Sequence, residues 1–270
     1  MKINTVFVER ILTKFIKDEL GKFHFKKAVL GLSGGLDSSV TAFLCAKAIG
    51  AENVLAIIMP YGESIKKDIS DAKKVVKQLG INSKTIHINP MVDAYYSKYP
   101  IQNRVIKGNK MARERMSILY DLSSREKAMV IGTSNKTELL LGYGTIHGDM
   151  ASGINPIGDL YKTQVRQLGK HLGIPEEILK KSPSAGFWPG QTDEKEIGID
   201  YENIDNILYQ IVDLRKQKKE VAAMGFSQKT IDRLVEMIKN SEFKRKLPLI
   251  PKISERTVGH DFLLPYDWGK

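Results

Sequence analysis

Between residues 28 and 132, short β-branched or apolar runs alternate with longer stretches whose apolar residues recur at helical spacing. The runs are 28–32, 54–59, 85–88 and 128–132, and the helical stretches are 37–49, 64–79 and 109–122. Gly50 and Gly80 stand where the first two helices have to stop. Repeated strand–loop–helix units predict a parallel sheet, and right-handed crossovers place helices on both of its faces. Residues 54–59 form the continuous apolar run of a strand covered on both sides. The expected fold class is therefore α/β, a doubly wound parallel sheet flanked by helices.

Residues 1–24 read as an N-terminal amphipathic helix. Its main apolar row is Ile3, Phe7, Ile11 and Phe15, flanked by Val8, Leu12 and Ile16. Glu9, Arg10, Lys14 and Lys17 interrupt the apolar positions, which removes the apolar block of a signal peptide. The helix is expected to pack on its own core rather than on a membrane. No run of about 18 apolar residues occurs, so no membrane span is expected. After residue 180 the pattern changes. Pro183, Gly186, Pro189, Gly190 and an acidic stretch at 193–196 predict a flexible loop over 182–196. Helical periodicity returns at 201–214 and 227–240, and a proline-bearing tail closes the chain. No internal repeat is visible, and residues 1–270 are read as one domain.

Composition narrows the class. In 270 residues, 42 Lys plus Arg stand against 31 Asp plus Glu, a net charge of +11, with 42% hydrophobic and 27% charged residues. That is an ordinary globular balance with a basic field suited to polyanions. The single cysteine, Cys45, excludes an internal disulfide and a cysteine-rich zinc site, and points to a reducing, cytoplasmic setting. It lies on an apolar helical stripe with Val40, Leu44 and Ala48, as a core thiol does.

The sharpest candidate site is Gly31-Leu32-Ser33-Gly34-Gly35-Leu36-Asp37-Ser38, between the first strand and the first crossover helix. Adjacent glycines let backbone N–H groups approach an anion, two serines offer hydroxyls, and the helix aims its positive end at the same point. The bland reading is a glycine-rich turn with Asp37 as a helix cap. No Lys-Ser or Lys-Thr follows the glycines, and GxGxxG spacing is absent, so neither common nucleotide fingerprint applies. Asp37 beside a phosphate cradle calls for a divalent cation between them, and Mg²⁺ is the natural inference.

Ser-Gly-Gly-Leu-Asp-Ser after a first strand resembles the PP-loop ATP pyrophosphatase superfamily, whose fold is adenine nucleotide alpha hydrolase-like. Further segments narrow the resemblance. Gly108-Asn109-Lys110-Met111-Ala112-Arg113-Glu114-Arg115-Met116, the stretch from Gly132 and Thr133 to Glu138, and Asn155-Pro156 through Leu160 to Lys162-Thr163 are similar to segments of NAD synthetases. So are Ser182-Pro183-Ser184-Ala185 and the turn at 190–194. Order and spacing hold from about residue 25 to 247, and the chain is identified as a member of the NAD synthetase family.

What the resemblance implies is specific. Residues 31–38 with Thr133, Lys162 and Ser184 would hold ATP. Asp37 and Glu138 would bind Mg²⁺, and Asp37, Glu138 and Lys162 would carry the chemistry. Arg113, Asp149 and Lys244 would contact deamido-NAD, the last from a substrate-contacting tail over 241–270. The implied reaction adenylates the nicotinate carboxylate of deamido-NAD, releases pyrophosphate, and lets ammonia displace AMP. No protein nucleophile is required. A chain starting some 30 residues before the loop leaves no room for a glutamine amidase domain, so free ammonia is the expected donor, with a separate amidase subunit as the alternative source. A homodimer is implied, with the apolar helices between 109 and 143 as candidate contacts.

Other readings stay in view. Taken alone, Arg113 and Arg115 also read as a solvated helix face, and 244–246 as a solvated cluster. The motif carrying Asp149 departs from the family pattern: 144–153 lacks its lysine and second acid, and Phe243 precedes Lys244-Arg245 where a histidine is common. A PP-loop tRNA-modifying enzyme would use the +11 charge, but no RNA-binding module or reactive cysteine pair is present, and no nucleic-acid partner is expected. A catalytically silent ATP-binding regulator would not need Asp37, Glu138 and Lys162 together.

Overall fold

The structure is a computed structural model that describes residues 1–62, 66–183, 196–246 and 248–262. Four parallel strands, β1 (Lys27–Gly31), β2 (Val54–Ile58), β3 (Asn82–Thr85) and β4 (Ala128–Val130), lie in the order β3-β2-β1-β4. The crossovers are helical: α2 (Leu36–Ile49) follows β1, α3 (Lys66–Leu79) follows β2, and α4 (Asn89–Lys98) and α5 (Arg104–Glu126) follow β3. The chain winds outward from β1 to β3 and returns to the other side of β1 as β4. Strand order thus reverses between β1 and β4, and a crevice opens beyond their carboxyl ends.

Side-chain alternation shows that both faces are covered. Ala28 and Leu30 of β1, with Ala56 and Ile58 of β2, join a core beneath α2, α3 and α7 (Lys162–Leu172). Val29, Ile57, Ala128 and Val130 face the opposite way, against Val92 of α4 and Met111 and Leu122 of α5. The doubly wound expectation holds. A third cluster gathers Leu141 of α6 (Lys136–Leu141), Tyr161, Ile204 and Leu208 of α9 (Tyr201–Leu208), Val221 of α10 (Lys218–Ala223), and Ile231 and Leu234 of α11 (Gln228–Asn240). The short α8 (Glu176–Leu179) joins α7 to the segment beyond 180.

Three expectations are corrected. The third strand is Asn82–Thr85, whose side chains are all exposed, rather than 85–88. As an outer edge it needs no apolar alternation, whereas the apolar Ile86 and Ile88 lie just past it, their N–H groups donating to Ile58 and Pro60. In α1 (Thr5–Lys22) the packed row is Val8, Leu12, Ile16 and Leu20, against α2 and α7. Phe7, Ile11 and Phe15 remain 49%, 46% and 37% exposed. Both rows repeat every four residues, so periodicity alone does not rank them. Helix α5 is longer than 109–122: Asn103 caps it by accepting from the N–H groups of Val105 and Ile106, and Lys127, at φ 51°, ends it in the left-handed region. Among the described residues no helix is long and apolar enough to cross a membrane.

Candidate active site

Beyond the ends of β1 and β4 lies a cavity of about 520 Å³. Residues 31–38 line it, except for Gly34, together with Thr133, Glu138 and Lys162. The glycine-rich segment is a pre-shaped turn. Ser38 Oγ accepts from the Ser33 N–H (3.2 Å) and lies 3.0 Å from Ser33 Oγ, which accepts from the Gly35 N–H (3.2 Å). The serines thus brace the loop, while the first turn of α2 begins at Gly35 with no side-chain cap. Its N–H groups have no intrahelical partner and are suited to an anion. Asp37 is therefore not the cap, and the capping reading falls.

Asp37 turns instead to Lys162. The Lys162 ammonium lies 2.5 Å from Asp37 Oδ2 and 3.3 Å from Glu138 Oε1, so one cation joins two carboxylates from different helices. Lys162 is only 4% exposed, and its Nζ sits 5.3 Å from the centroid of the Tyr201 ring. Each member of the trio is fixed in turn. The Asn135 amide donates to Asp37 Oδ1 (3.0 Å), and its carbonyl accepts from the Glu138 N–H (3.0 Å). Glu138 Oε2 accepts from the Asn135 N–H (3.4 Å), closing a capping box at the start of α6. The Thr137 hydroxyl accepts from the Lys162 N–H (3.0 Å) and donates to Asp205 (2.6 Å), whose other oxygen takes the Thr163 N–H (2.8 Å). Asp205 is fully buried, and burial raises its pKa.

A second group of polar residues lines the same cavity: Asn109 and Arg115 on α5, Tyr143, Asp149, Glu196 and Lys244. Asp149 Oδ1 accepts from the Thr145 N–H (2.9 Å), and the Thr145 hydroxyl reaches Asn109 Oδ1 (2.8 Å). Burial pushes the Asp149 carboxyl up. The Lys244 ammonium donates to the carbonyls of Gly142 (2.7 Å) and Gly144 (2.9 Å); burial lowers its pKa, opposed by Asp149 nearby. Arg245 is tied to the Leu140 and Ile238 carbonyls, so of the expected solvated cluster only Lys246 stays at the surface, paired with Glu242. Arg115 donates from Nε to the Met59 carbonyl (3.0 Å) at the end of β2, and burial pulls its pKa down to about 10.

The candidate residues therefore divide. Residues 31–38, Thr133, Glu138, Lys162, Asp149 and Lys244 surround one cavity. Arg113 is exposed outside its lining, its Nε 3.4 Å from the Ile146 carbonyl. Ser184 lies outside the described residues, as does most of the loop expected at 182–196. The sequence alone singles out none of Asn135, Thr137, Asp205 and Lys181, and offers for Arg115 only the alternative of a solvated helix face. Asn135 and Thr137 lay inside a motif already singled out; Asp205 and Lys181 carry no sequence signal of their own.

Comparison with known proteins decides the family. A family model described as NAD synthase matches residues 8–248. The chain belongs to the NAD synthase family. An NH(3)-dependent NAD(+) synthetase of Trichlorobacter lovleyi is 50% identical over 270 residues, covering all of this chain and 99% of that one. Among solved structures, an NMN synthetase from Francisella tularensis superposes with a TM-score of 0.82 at 37% identity, over 93% of this chain and 99% of that chain. An NH3-dependent NAD synthetase from Campylobacter jejuni gives 0.80 at 35%, over 93% and 100%. Among the described residues of this NAD synthase chain, the segments 31–38, 108–116, 132–138 and 155–163 that carry the resemblance each contribute to the cavity lining.

Proposed function

We propose that the chain is a carbon–nitrogen ligase that amidates deamido-NAD with ammonia at the expense of ATP, releasing AMP and pyrophosphate. The observation that carries the reading is the Asp37–Lys162–Glu138 trio beside an uncapped helix start in the NAD synthase cavity. ATP lies with its phosphates on the loop 31–38 and the first turn of α2, near Thr133; the resemblance adds Ser184, which lies outside the described residues.

The donor set is of the type Mg²⁺ takes: Asp37 and Glu138 both line the cavity at the phosphate loop, and their carboxylates are the groups that would hold the ion. Held by these two residues, Mg²⁺ would neutralise phosphate charge. Lys162 then directs its ammonium to the charge that develops as pyrophosphate departs. Asp149 and Lys244, in the cavity lining, and Arg113, outside it, hold deamido-NAD. The substrate carboxylate bonds to the α-phosphorus as the α–β bridge breaks. Ammonia next forms the C–N bond, the C–O bond to AMP breaks, and the nitrogen sheds a proton. Positioning does the work, since no side-chain nucleophile enters.

The working unit is a homodimer in the cytoplasm, with no nucleic-acid or membrane partner. Val105, Ile106 and Tyr120 on α5 supply exposed apolar surface for the subunit contact. The test is an assay of purified protein with ATP, Mg²⁺ and deamido-NAD, with ammonium or glutamine, following NAD and AMP together. NAD formation with ammonium alone is expected. AMP without NAD would mean another acceptor, and a parallel arm with nicotinate mononucleotide addresses the acceptor suggested by the NMN synthetase likeness. Silence in every arm would overturn the reading.

A further inference from the structure

Gly34 is the one residue of 31–38 that does not line the cavity. It adopts φ +78°, in the left-handed region, and a Cβ there would collide with the Asp68 carbonyl. The phosphate loop therefore rests on the first turn of α3. A third segment meets both. The Lys181 ammonium donates to the Gly34 carbonyl (3.2 Å) and to Asp71 Oδ2 (3.0 Å), and it also pairs with Asp68. The Asp71 side chain is 2% exposed, and Lys74, which also pairs with it, stands 3.6 Å away.

We propose that Lys181 is a positioning residue for ATP, acting through the loop rather than on the phosphates. An anion cradle needs its N–H groups turned in and its carbonyls turned out, because a carbonyl dipole repels phosphate. Lys181 holds the Gly34 carbonyl outward and fastens it to α3. Its charge is met by Asp68 and Asp71, and moving it onto a phosphate would leave the buried Asp71 without its nearer cation, a costly exchange. The role rests on the functional reading only in that ATP occupies this cavity.

The test measures binding of α,β-methylene-ATP with Mg²⁺ by calorimetry, and steady-state KM values for ATP and deamido-NAD, in the full chain and in Lys181→Met, Lys181→Arg, Asp68→Asn, Asp71→Asn and Lys181→Met/Asp68→Asn. Lys181→Met should weaken the analogue about tenfold and raise the ATP KM likewise, with the deamido-NAD KM within about twofold. The aspartate variants should weaken ATP in the same direction, the double variant should be less than additive, and Lys181→Arg should recover most of the loss. Asp68, in the cavity lining and with its side chain 29% exposed against 2% for Asp71, serves as the safer partner should Asp71→Asn fail to fold. Unchanged analogue affinity in Lys181→Met would overturn the role, as would equal rises in both KM values. Loss in Lys181→Met with Asp68→Asn and Asp71→Asn both unaffected would overturn it in favour of a direct phosphate contact. A wild-type chain that binds the analogue but forms no NAD would refute the proposed reaction and leave the binding comparison decisive for Lys181.

Discussion

The two sides of the cavity are built differently. On the side of the glycine-rich loop, each charged group is held by side chains that are themselves held: Lys162 by two carboxylates, Asp37 by Asn135, and the start of α7 by Thr137 and Asp205. On the side of Asp149 and Lys244, the braces are backbone groups of a turn, the Thr145 N–H and the carbonyls of Gly142 and Gly144. The first side forms where strand ends meet helix starts, each delivering a short motif. The second is assembled from α5, the 142–150 turn and the residues after α11, which lie far apart in sequence. Closely satisfied polar networks suit a step needing fixed charge, and backbone-braced lysines suit recognition of one particular partner.

The strongest way to break this contrast is at Lys162. Lys162→Met removes the cation between Asp37 and Glu138, and kcat should fall by at least about 10²-fold, as for other lost transition-state donors. Single-turnover adenylation, followed as AMP or pyrophosphate, is the measurement; a variant that merely raised the deamido-NAD KM would place Lys162 on the wrong side. Next comes Lys244→Met, which should raise the deamido-NAD KM about tenfold and leave the ATP KM near wild type, because a hydrogen bond to a charged group is worth about 1.5–3 kcal/mol. Equal changes in both KM values would merge the two sides into one.

Asp205→Asn sharpens the contrast at smaller amplitude. Asp205 accepts on both oxygens, from the Thr137 hydroxyl and the Thr163 N–H. A carboxylate has no proton to give, so the Thr137 hydroxyl donates to Asp205 while its oxygen accepts from the Lys162 N–H, and an amide would keep only one acceptor for the two donors. One buried donor then loses its acceptor, and about 1–3 kcal/mol of stability should be lost. Denaturant titration would report this, together with a modest fall in kcat and an unchanged deamido-NAD KM. Wild-type stability in this variant would show that the network under α7 does not hold.

Much of the first side was legible in the sequence because its motifs are local. The loop 31–38 sits directly after a strand and before a helix, so its context alone points to an anion site, whereas Glu138 and Lys162 follow from the resemblance carried by the 132–138 and 155–163 segments, each of which ends in a helix start. Asp205 and Lys181 were not legible, since a lone acid in α9 or a lysine after α8 resembles any surface charge until tertiary contacts bring it to α7 or Gly34. The same limit explains α1, where two rows repeat every four residues and only contact with α2 and α7 selects the buried one. It also explains β3, whose exposed side chains carry no alternation to read. Arg113 was visible as a motif residue, but helical phase alone did not show that Arg115 is the arginine of that pair facing this chain's own cavity.

The mildest test concerns Cys45, which lies in α2 behind the glycine-rich loop and is fully buried. Burial pushes its thiol from an ordinary value of 9.0 up to about 12. A raised folded pKa means the folded state holds its proton longer than the unfolded state. Its contribution to stability is therefore complete below about pH 9 and is lost as pH rises toward 12, by about 1.4 kcal/mol per unit. The stability difference between wild type and Cys45→Ala should be flat below pH 9 and shift by that slope above it, measured by denaturant titration at each pH. Iodoacetamide at pH 8 should modify the folded protein only as fast as the chain opens. Turnover of Cys45→Ala at neutral pH should stay near wild type, because neither side of the cavity uses the thiol. Rapid alkylation of the folded state with loss of adenylation would instead move Cys45 from the core beneath the loop into the reaction itself.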